Sequence, residues 1–460
     1  MKHHGESNQT LPREIGPFSA TALVIANMVG TGIFTTTGLI MAELGSAAAL
    51  LLSWLLGGLF ALCGALCYAE LGARHPRAGG EYVYLKHAFG RWMGFLSGWI
   101  SLVVGFSAPI AAAAMAFAAY VTGLGASGNG PFWILRIFGV PLVTISLQTT
   151  LACAAILCFT LLHCLSITIG TRVQNYLTLL KVGLILFFVF AALLFGNGHS
   201  HMFSITLQWS DLISEKTAVA LIFVSFAYSG WNGAAYLGEE IRSPHRNLPL
   251  ALITGTLVVT LLYMALNIVF LYALPSAAMS GTIDVGTKAA KTLFGAAAGR
   301  WVGGAIAVGL LSVLSAMIMT GPRVYFAMAR DRVFFEKFGH VSRQHRTPAA
   351  SIFLQAGLAM MMVITATFDQ LLIYIGFTLS LSALMTVAGL IRLRHRRPDV
   401  RTTYRTPGYP VTPLIFIIGN VWIIFYALKS RPIASLAGLA TIGIGLAAYL
   451  AFCRKRGATA

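Results

Sequence analysis

The chain has 460 residues, of which 57% are hydrophobic and only 10% are charged. This composition excludes an ordinary soluble domain and indicates a protein that crosses a membrane many times, because each span needs about 20 apolar residues. The net charge of +18 is not a nucleic-acid footprint: about 24 of the 32 Lys and Arg residues lie in predicted cytoplasmic segments, which is the positive-inside bias and places both termini in the cytoplasm.

Apolar runs of spanning length predict twelve transmembrane helices. These spans are 17–44 (broken), 46–71, 93–123, 144–165, 173–196, 217–240, 248–274, 299–326, 348–367, 370–391, 411–428 and 432–453. The predicted units are a cytoplasmic tail at 1–16, a five-helix unit at 17–196, a second one at 217–391, two accessory helices at 411–453 and a cytoplasmic tail at 454–460.

The first span is interrupted at its centre by Gly30, Thr31 and Gly32. Glycine in a helix interior is about 1 kcal/mol less favourable than alanine. An unwound backbone inside a membrane is tolerated only where protein buries it or where it lines a wet cavity. The break therefore predicts a place where backbone amides meet a ligand. The alternative is a surface of small residues that packs against another helix.

The loop between spans two and three carries Gly79 and Gly80, followed by Glu81. The paired glycines permit a tight turn, and the Tyr/Leu-rich residues after them predict a short helix in the membrane interface. A plain connecting loop is the alternative. Glu81 is a candidate gate residue. In span three, Pro109 predicts a kink.

Lys181 is the only ionisable side chain that the sequence places well inside a span. It lies about eight residues from the inner end of span five, which is about 12 Å at 1.5 Å per residue. A charge at that depth is costly and is a functional-site candidate by default. The alternative is that its side chain snorkels toward the inner headgroups.

Span six contains a second break, at residues 226–233, where Gly230 precedes Trp and Asn. Glu239 and Glu240 follow it, either at the inner surface beside Arg242 or as gate residues. The two breaks occupy matching positions in two five-helix units. Paired interrupted spans of this kind are the best sequence indication of a transporter site built on inverted repeats.

Five motifs occur in order along nearly the whole chain. They are residues 30–34, 76–84, 226–232 with 239–240, 323–331 and 404–410. This set resembles the amino acid–polyamine–organocation (APC) superfamily, and most closely its L-type amino acid transporter (LAT) branch. The resemblance implies an all-α membrane protein with the leucine-transporter fold: five plus five inverted helices, two more at the C-terminus, and helices 1 and 6 broken. It also implies exchange or uptake of amino acids.

By the same resemblance, the amides around Thr31 and Gly32 receive the substrate carboxylate, and carbonyls near the ends of the first half-helices receive its ammonium. Phe226 is then the aromatic gate above the substrate. The full predicted set of substrate-binding residues is Met28, Val29, Gly30, Thr31, Gly32, Phe226, Ala227, Ser229 and Asn232. Helix amino ends attract carboxylates, and helix carboxyl ends present unpaired carbonyls that suit an ammonium. One α-amino acid zwitterion satisfies both.

In this branch a lysine of span five stands where sodium-coupled relatives bind an ion. We therefore expect Lys181 to bridge spans one and five and to replace sodium, and it could also carry a coupling proton. The loop at residues 125–143 contains no cysteine, so no disulfide-linked partner subunit is expected. The protein is expected to be a monomer or homodimer in the plasma membrane, or in the inner membrane if it is bacterial.

A neutral substrate is favoured because no Asp or Glu lies deep in a span. Ser229, Asn232, Ser312 and Ser315 point weakly to a small polar amino acid. The alternatives are a polyamine, amine or cationic amino acid permease of the same fold, and a membrane amino acid sensor that does not transport. No enzymatic activity, metal site, cofactor or nucleic-acid partner is expected.

Overall fold

The structure is a computed structural model. It describes residues 11–123, 131–137, 140–198, 214–342, 344–365, 368–396, 403–430 and 432–457. Residues 1–10 and 458–460 of the predicted tails and the predicted end of span nine at residue 367 lie outside these ranges. The predicted tails are therefore described only in part.

Helices make up most of the described chain. In order they are α1 (Pro17–Met28), α2 (Thr31–Leu44), α3 (Ala47–Arg74), α4 (Glu81–Phe89), α5 (Arg91–Ile100), α6 (Ala108–Thr122), α7 (Leu147–Leu165), α8 (Ile167–Phe195), α9 (Glu215–Tyr228), α10 (Pro244–Ala273), α11 (Ser276–Met279), α12 (Val285–Phe294), α13 (Ala296–Thr320), α14 (Pro322–Arg330), α15 (Ala349–Thr365), α16 (Phe368–Arg396), α17 (Val411–Ser430) and α18 (Pro432–Gly457). A π-helical segment covers Ser101–Ser107, 3-10 turns cover Gly233–Tyr236 and Glu336–Gly339, and strands β1 (Trp133–Ile137) and β2 (Val140–Ile145) pair antiparallel.

Within the described ranges, eight helical segments are long and apolar enough to cross a membrane, and the bent pair of α1 and α2 makes a ninth candidate span. Two shorter apolar helices, α15 and residues 435–451, add to them. The prediction of an all-helical, multi-pass membrane protein is confirmed. The count of twelve spans and their inverted-repeat order stay predictions.

The first predicted break is present. α1 ends at Met28, α2 begins at Thr31, and the two helices are bent by 40°. The second break is more extensive than predicted, because α9 ends at Tyr228 and only one 3-10 turn follows. The expected helix up to residue 240 is therefore wrong. Gly230 adopts a left-handed φ of 96°, which turns the chain out of the helical path.

The π-helical segment interrupts span three directly before the predicted kink. Pro109 has no N–H with which to bond the carbonyl four residues earlier. That earlier residue, Gly105, lies within Ser101–Ser107. The irregularity is thus one turn of widened helix on the N-terminal side of Pro109, which is a common way of accommodating a lost helical bond.

The turn and helix after span two are present, and their place in the membrane interface stays a prediction. Gly79 and Gly80 have φ values of 111° and 49°, which only glycine adopts readily. The helix that follows, α4, is buried from Glu81 to Leu85. It packs against α5, α14 and α16. The Gly79 N–H donates to the Tyr236 carbonyl (3.0 Å), which ties this turn to the second break.

A β-hairpin occupies much of the stretch that the sequence analysis took as a plain loop between spans three and four. Strand β2 extends to Ile145, so the predicted start of span four at residue 144 is wrong. The helix instead begins at Leu147, because the Ser146 side chain caps it by accepting from the Thr149 N–H (3.2 Å).

Candidate functional site

The two breaks touch each other through glycine. A Cβ atom on Gly32 would lie 2.5 Å from the Cα of Ala227, and one on Gly230 would lie 2.7 Å from the carbonyl oxygen of Asn27. No side chain fits at those distances. These glycines therefore allow the two broken spans to approach each other closely.

Tyr263 of α10 ties the two breaks together. Its buried hydroxyl lies 2.7 Å from the carbonyl oxygen of Met28 and 2.9 Å from that of Ala227, so it donates its one hydrogen to this pair. Tyr263 is not among the residues predicted from the sequence. A single tyrosine in an apolar span carries no distinguishing pattern, since buried tyrosines are common.

Lys181 of α8 bonds the carboxyl end of α1. Its side chain is only 3% exposed, and Nζ donates to the carbonyl oxygens of Val29 (2.7 Å) and Ala26 (3.2 Å). The snorkelling alternative is wrong for this arrangement. The contact between spans one and five is present as expected, whereas the role of Lys181 in place of sodium stays a prediction.

The amino end of α2 lies at the first break. Its N-cap residue is Gly30, and no side chain in the described residues caps this helix end. Thr31 and Gly32, whose amides begin the helix, are both buried. Uncapped N–H groups at a helix start, together with the positive end of the helix dipole, suit an anion.

The Met28 and Phe226 carbonyls, which are predicted to receive an ammonium, each already accept one hydrogen bond. The Met28 carbonyl accepts from Tyr263, and the Phe226 carbonyl accepts from the Ser229 N–H (3.0 Å). A carbonyl oxygen has two lone pairs, so each can accept a second donor. These contacts fix the direction in which the carbonyls point.

A cavity of about 100 Å³ lies beside the second break. A water molecule needs about 10–15 Å³ on this measure, so the cavity has room for several waters or a small ligand. Four predicted residues line it, namely Glu81, Phe226, Ser229 and Asn232, and Asn27 joins them from α1.

The other predicted binding residues lie behind this cavity wall. Within the described chain, the residues that do not line it are Met28, Val29, Gly30, Thr31, Gly32 and Ala227. They are buried where the breaks contact each other. Ser312 and Ser315 do not line the cavity either: Ser312 bonds Gln174 (3.3 Å) and Ser315 bonds His163 (2.9 Å). The weak argument from these two serines for a small polar substrate is wrong.

Glu81 joins three elements at the cavity. Its Oε1 accepts from the Tyr68 hydroxyl on α3 (2.7 Å) and from Nδ2 of Asn232 (2.8 Å), and its Oε2 accepts from the Ser382 hydroxyl on α16 (2.6 Å). The carboxyl is 4% exposed. Glu81 lies outside the predicted spans, so the expectation that no acid lies deep in a span did not include it. The buried helix α4 brings it to the cavity.

Two glutamates after the second break form ion pairs at one end of the bundle. Glu240 and Arg323 are fully buried and make a bidentate pair (2.8 and 3.0 Å). Glu239 pairs with the partly exposed Arg330 (2.9 Å). The predicted place beside Arg242 is wrong, because the Arg242 Nε donates instead to a backbone carbonyl near the N-terminus (3.3 Å).

The segment before α1 is fastened to the same place. Ile15 forms a parallel β-bridge with Ile241, and its N–H donates to the Glu240 carbonyl (3.0 Å). The Leu11 N–H donates to Oε1 of Glu239 (3.1 Å). The two glutamates thus connect α14, the second break and the start of α1.

We expect Gly32→Ala to lower the melting temperature of the purified protein, because its methyl group would overlap the Ala227 backbone. Overpacking of this kind costs about 1–3 kcal/mol. Gly304→Ala is the matched control, because nothing lies within 4 Å of the added methyl in that helical position, and it should be neutral or stabilising by up to about 1 kcal/mol. Equal melting temperatures for wild type and Gly32→Ala would contradict the contact between the breaks.

The chain is similar to known amino acid transporters along most of its length. The amino acid permease family matches residues 15–447. The serine/threonine exchanger SteT of Bacillus subtilis is 31% identical over 428 residues, covering 92% of each chain. The mouse b(0,+)-type amino acid transporter 1 is 29% identical, covering 92% of this chain and 84% of the relative.

A third relative, the human large neutral amino acids transporter small subunit 2, is 28% identical over 97% of this chain and 81% of its own. The family match spans both breaks and Lys181, and together these comparisons confirm the resemblance to the APC superfamily and its LAT-like members. The chain therefore belongs to the amino acid permease family.

Proposed function

We propose that this protein is a secondary active transporter that moves L-amino acids, neutral ones in preference, across the plasma membrane by alternating access. The movement is sodium-independent exchange or proton-coupled uptake. Family membership supports amino acid transport in general and points away from an enzyme. The finer proposal depends on the two breaks.

The observation that carries the proposal is the pairing of opposite helix ends at one place. The uncapped start of α2 offers N–H groups to a carboxylate, while the ends of α1 and α9 offer carbonyls to an ammonium. These ends are held together by Tyr263 and by the glycine contacts. An α-amino acid carries a carboxylate and an ammonium on one carbon, so it is the ligand class that we propose.

Lys181 is proposed as the substitute for sodium. In the arrangement described above, an ammonium donates to two carbonyls at the end of α1, which is where a bound cation would satisfy them. Phe226 is proposed as the aromatic gate, and Glu81, Glu239 and Glu240 as further gate residues. The ion pairs of Glu239 and Glu240 support a gate that must break these pairs to open.

The substrate class is the least constrained part of the proposal. One relative is named as a serine/threonine exchanger and another as a transporter of large neutral amino acids. These names support neutral substrates. Glu81 lines the cavity and favours the alternative, a cationic amino acid permease, because it is an acid within reach of a ligand. A polyamine or amine without a carboxylate would leave the amides of α2 without a partner.

The proposed architecture is twelve spans in five plus five plus two order, with the unit boundaries given above and both termini in the cytoplasm. The positive-inside distribution supports that orientation. Absence of a disulfide-linked partner and a monomeric or homodimeric state also remain predictions.

We expect L-amino acids, but not amines lacking a carboxylate, to raise the melting temperature of the purified protein. A ligand at 100 times its Kd stabilises the folded state by about 2.7 kcal/mol. The panel should contain L-serine, L-alanine, L-leucine and L-lysine, each paired with the corresponding amine. A shift with the amines alone would contradict the proposed carboxylate site.

Counterflow of labelled amino acids in proteoliposomes then distinguishes a transporter from a sensor. A transporter exchanges internal for external amino acid, whereas a sensor binds the same ligands without moving them. Stabilisation without counterflow would favour the sensor, and neither effect with any L-amino acid would overturn the proposed function.

A further inference from the structure

The Glu81 carboxyl is buried without a cationic partner. The ion pairs found among the described residues involve other acids. Its hydrogen-bond partners are the neutral groups of Tyr68, Asn232, Ser382 and Tyr236. A buried carboxylate that no cation compensates is costly, and it commonly takes up a proton instead.

The two oxygens of Glu81 differ in a way that suits one proton. Oε1 accepts from two groups, the Tyr68 hydroxyl and the Asn232 amide. Oε2 lies 2.6 Å from the Ser382 hydroxyl, which can rotate either to donate to a carboxylate or to accept from a carboxylic acid. Oε2 can therefore gain or lose a hydrogen while the other two contacts stay in place.

We propose that Glu81 carries a coupling proton: it is protonated on Oε2 while its carboxyl is buried as in this structure, and it releases the proton when the carboxyl becomes exposed to water. This inference rests on the proposed transport of amino acids and names what is coupled to it. Closure around a substrate would take a proton up from one side, and opening on the other side would release it there.

The direction of the pKa shift of Glu81 determines whether burial of its carboxyl takes up or releases a proton. Burial raises the pKa of the Glu81 carboxyl, although hydrogen bonds from Ser382, Tyr68, Asn232 and Tyr236 oppose the shift. Exposure to water would return the pKa toward its usual value of about 4.3. A group with a higher pKa in the closed form than in the open form binds a proton on closing.

The neighbours of Glu81 that the structure describes do not compete for this proton near neutral pH. The titratable groups that face Glu81 are tyrosines: Tyr68 on α3, Tyr84 on α4 and Tyr236 in the 3-10 turn. Tyrosines remain protonated near pH 7 because their usual pKa is about 10. α16 contributes the uncharged Ser382.

Lys181 is less suited to carry the proton. It is not among the described residues that line the cavity, and both of its partners are backbone carbonyls, which only accept. Exchange of its proton with water would require α1 to move away. Glu81 already lines the cavity and needs only that the cavity fill with water.

The test is uptake into empty proteoliposomes driven by a proton gradient, with pH 6.5 outside and pH 7.5 inside. Potassium and valinomycin on both sides hold the membrane potential near zero. With one proton per amino acid, wild type should accumulate substrate up to about tenfold, since one pH unit corresponds to about 1.4 kcal/mol. For Glu81→Gln, which cannot lose a proton, the ratio of internal to external substrate should stay near one.

Each variant is normalised to its own counterflow, so that a general loss of activity is not mistaken for a loss of coupling. Glu215→Gln is the matched control, because Glu215 is exposed and pairs with Lys429 away from the cavity, and it should accumulate substrate like wild type. Glu81→Asp, which keeps the carboxyl, should recover part of the accumulation.

The outcomes separate two failures. Counterflow without gradient-driven accumulation in wild type, or full accumulation by Glu81→Gln, would overturn the inference about Glu81 alone. Absence of counterflow with every amino acid would instead overturn the proposed function.

Thermal unfolding decides the matter if Glu81→Gln is too inactive for transport measurements. A raised pKa stabilises the folded state at low pH, and that contribution is lost as the pH rises through the folded-state pKa. The melting temperature of wild type relative to Glu81→Gln should therefore fall as the pH increases from about 4.5 to 8. Parallel curves would contradict a titrating Glu81.

Discussion

We expect Lys181→Ala to lower the initial rate of amino acid counterflow by at least about tenfold. The substitution removes an ammonium that donates to the Val29 and Ala26 carbonyls, which remain buried without that donor. Hydrogen bonds to a charged group contribute about 1.5–3 kcal/mol each, and 1.4 kcal/mol corresponds to about a tenfold change in rate. The end of α1 then loses the group that fixes it against α8.

The measurement is uptake of a labelled amino acid into preloaded proteoliposomes, with sodium and with potassium as the external cation. Lys429→Ala is the control, since Lys429 is an exposed lysine paired with the exposed Glu215. Wild type and the control should transport equally in both salts. Sodium-dependent transport by wild type, or an unimpaired Lys181→Ala, would contradict the proposed role of Lys181.

Breaking the buried pair of Glu240 and Arg323 should have the largest effect on stability. Glu240→Gln leaves a guanidinium buried without its bidentate partner, although Arg323 Nη1 also donates to the Met319 carbonyl. Removing one partner of a buried ion pair typically costs about 3–5 kcal/mol. We expect a large drop in melting temperature and a reduced yield of monodisperse protein.

The double variant Glu240→Gln with Arg323→Met tests whether the cost comes from the unpaired charge. Because no charge is left uncompensated, it should recover part of the stability lost in Glu240→Gln. The exposed pair of Glu215 and Lys429 provides the comparison, and Glu215→Gln should cost no more than about 1 kcal/mol. Similar small effects at both sites would mean that the buried pair does not fasten this end of the bundle.

The features predicted correctly from the sequence are those with a local signal. Gly30 and Gly32 interrupt an apolar run, and Gly230 does the same in span six, so the breaks are visible without knowledge of their neighbours. Lys181 stands out because a lysine in a hydrophobic stretch is rare. Its bonds to α1 follow from the same principle, since a buried ammonium must find acceptors.

The parts that sequence reasoning missed depend on contacts between distant segments. Glu81 was predicted as a gate residue but not as a buried one, because it follows a polar loop that resembles a surface turn; the packing of α4 against its neighbouring helices carries it into the bundle. Arg323 lies near the end of the predicted span 299–326, where its sequence neighbours give no sign that it is buried. Its burial depends on Glu240, which is 83 residues away in the chain.

The bridge between Ile15 and Ile241 connects the residues before α1 to the segment that follows the second break. Ile15 precedes α1 by a single residue, so a force on residues 11–15 is transmitted along the axis of α1 to its far end at Met28. At that end, Lys181 donates to the Val29 carbonyl and Tyr263 donates to the Met28 carbonyl. A rotation of α1 that opened one end of the bundle would therefore also move the Met28 and Val29 carbonyls at its far end.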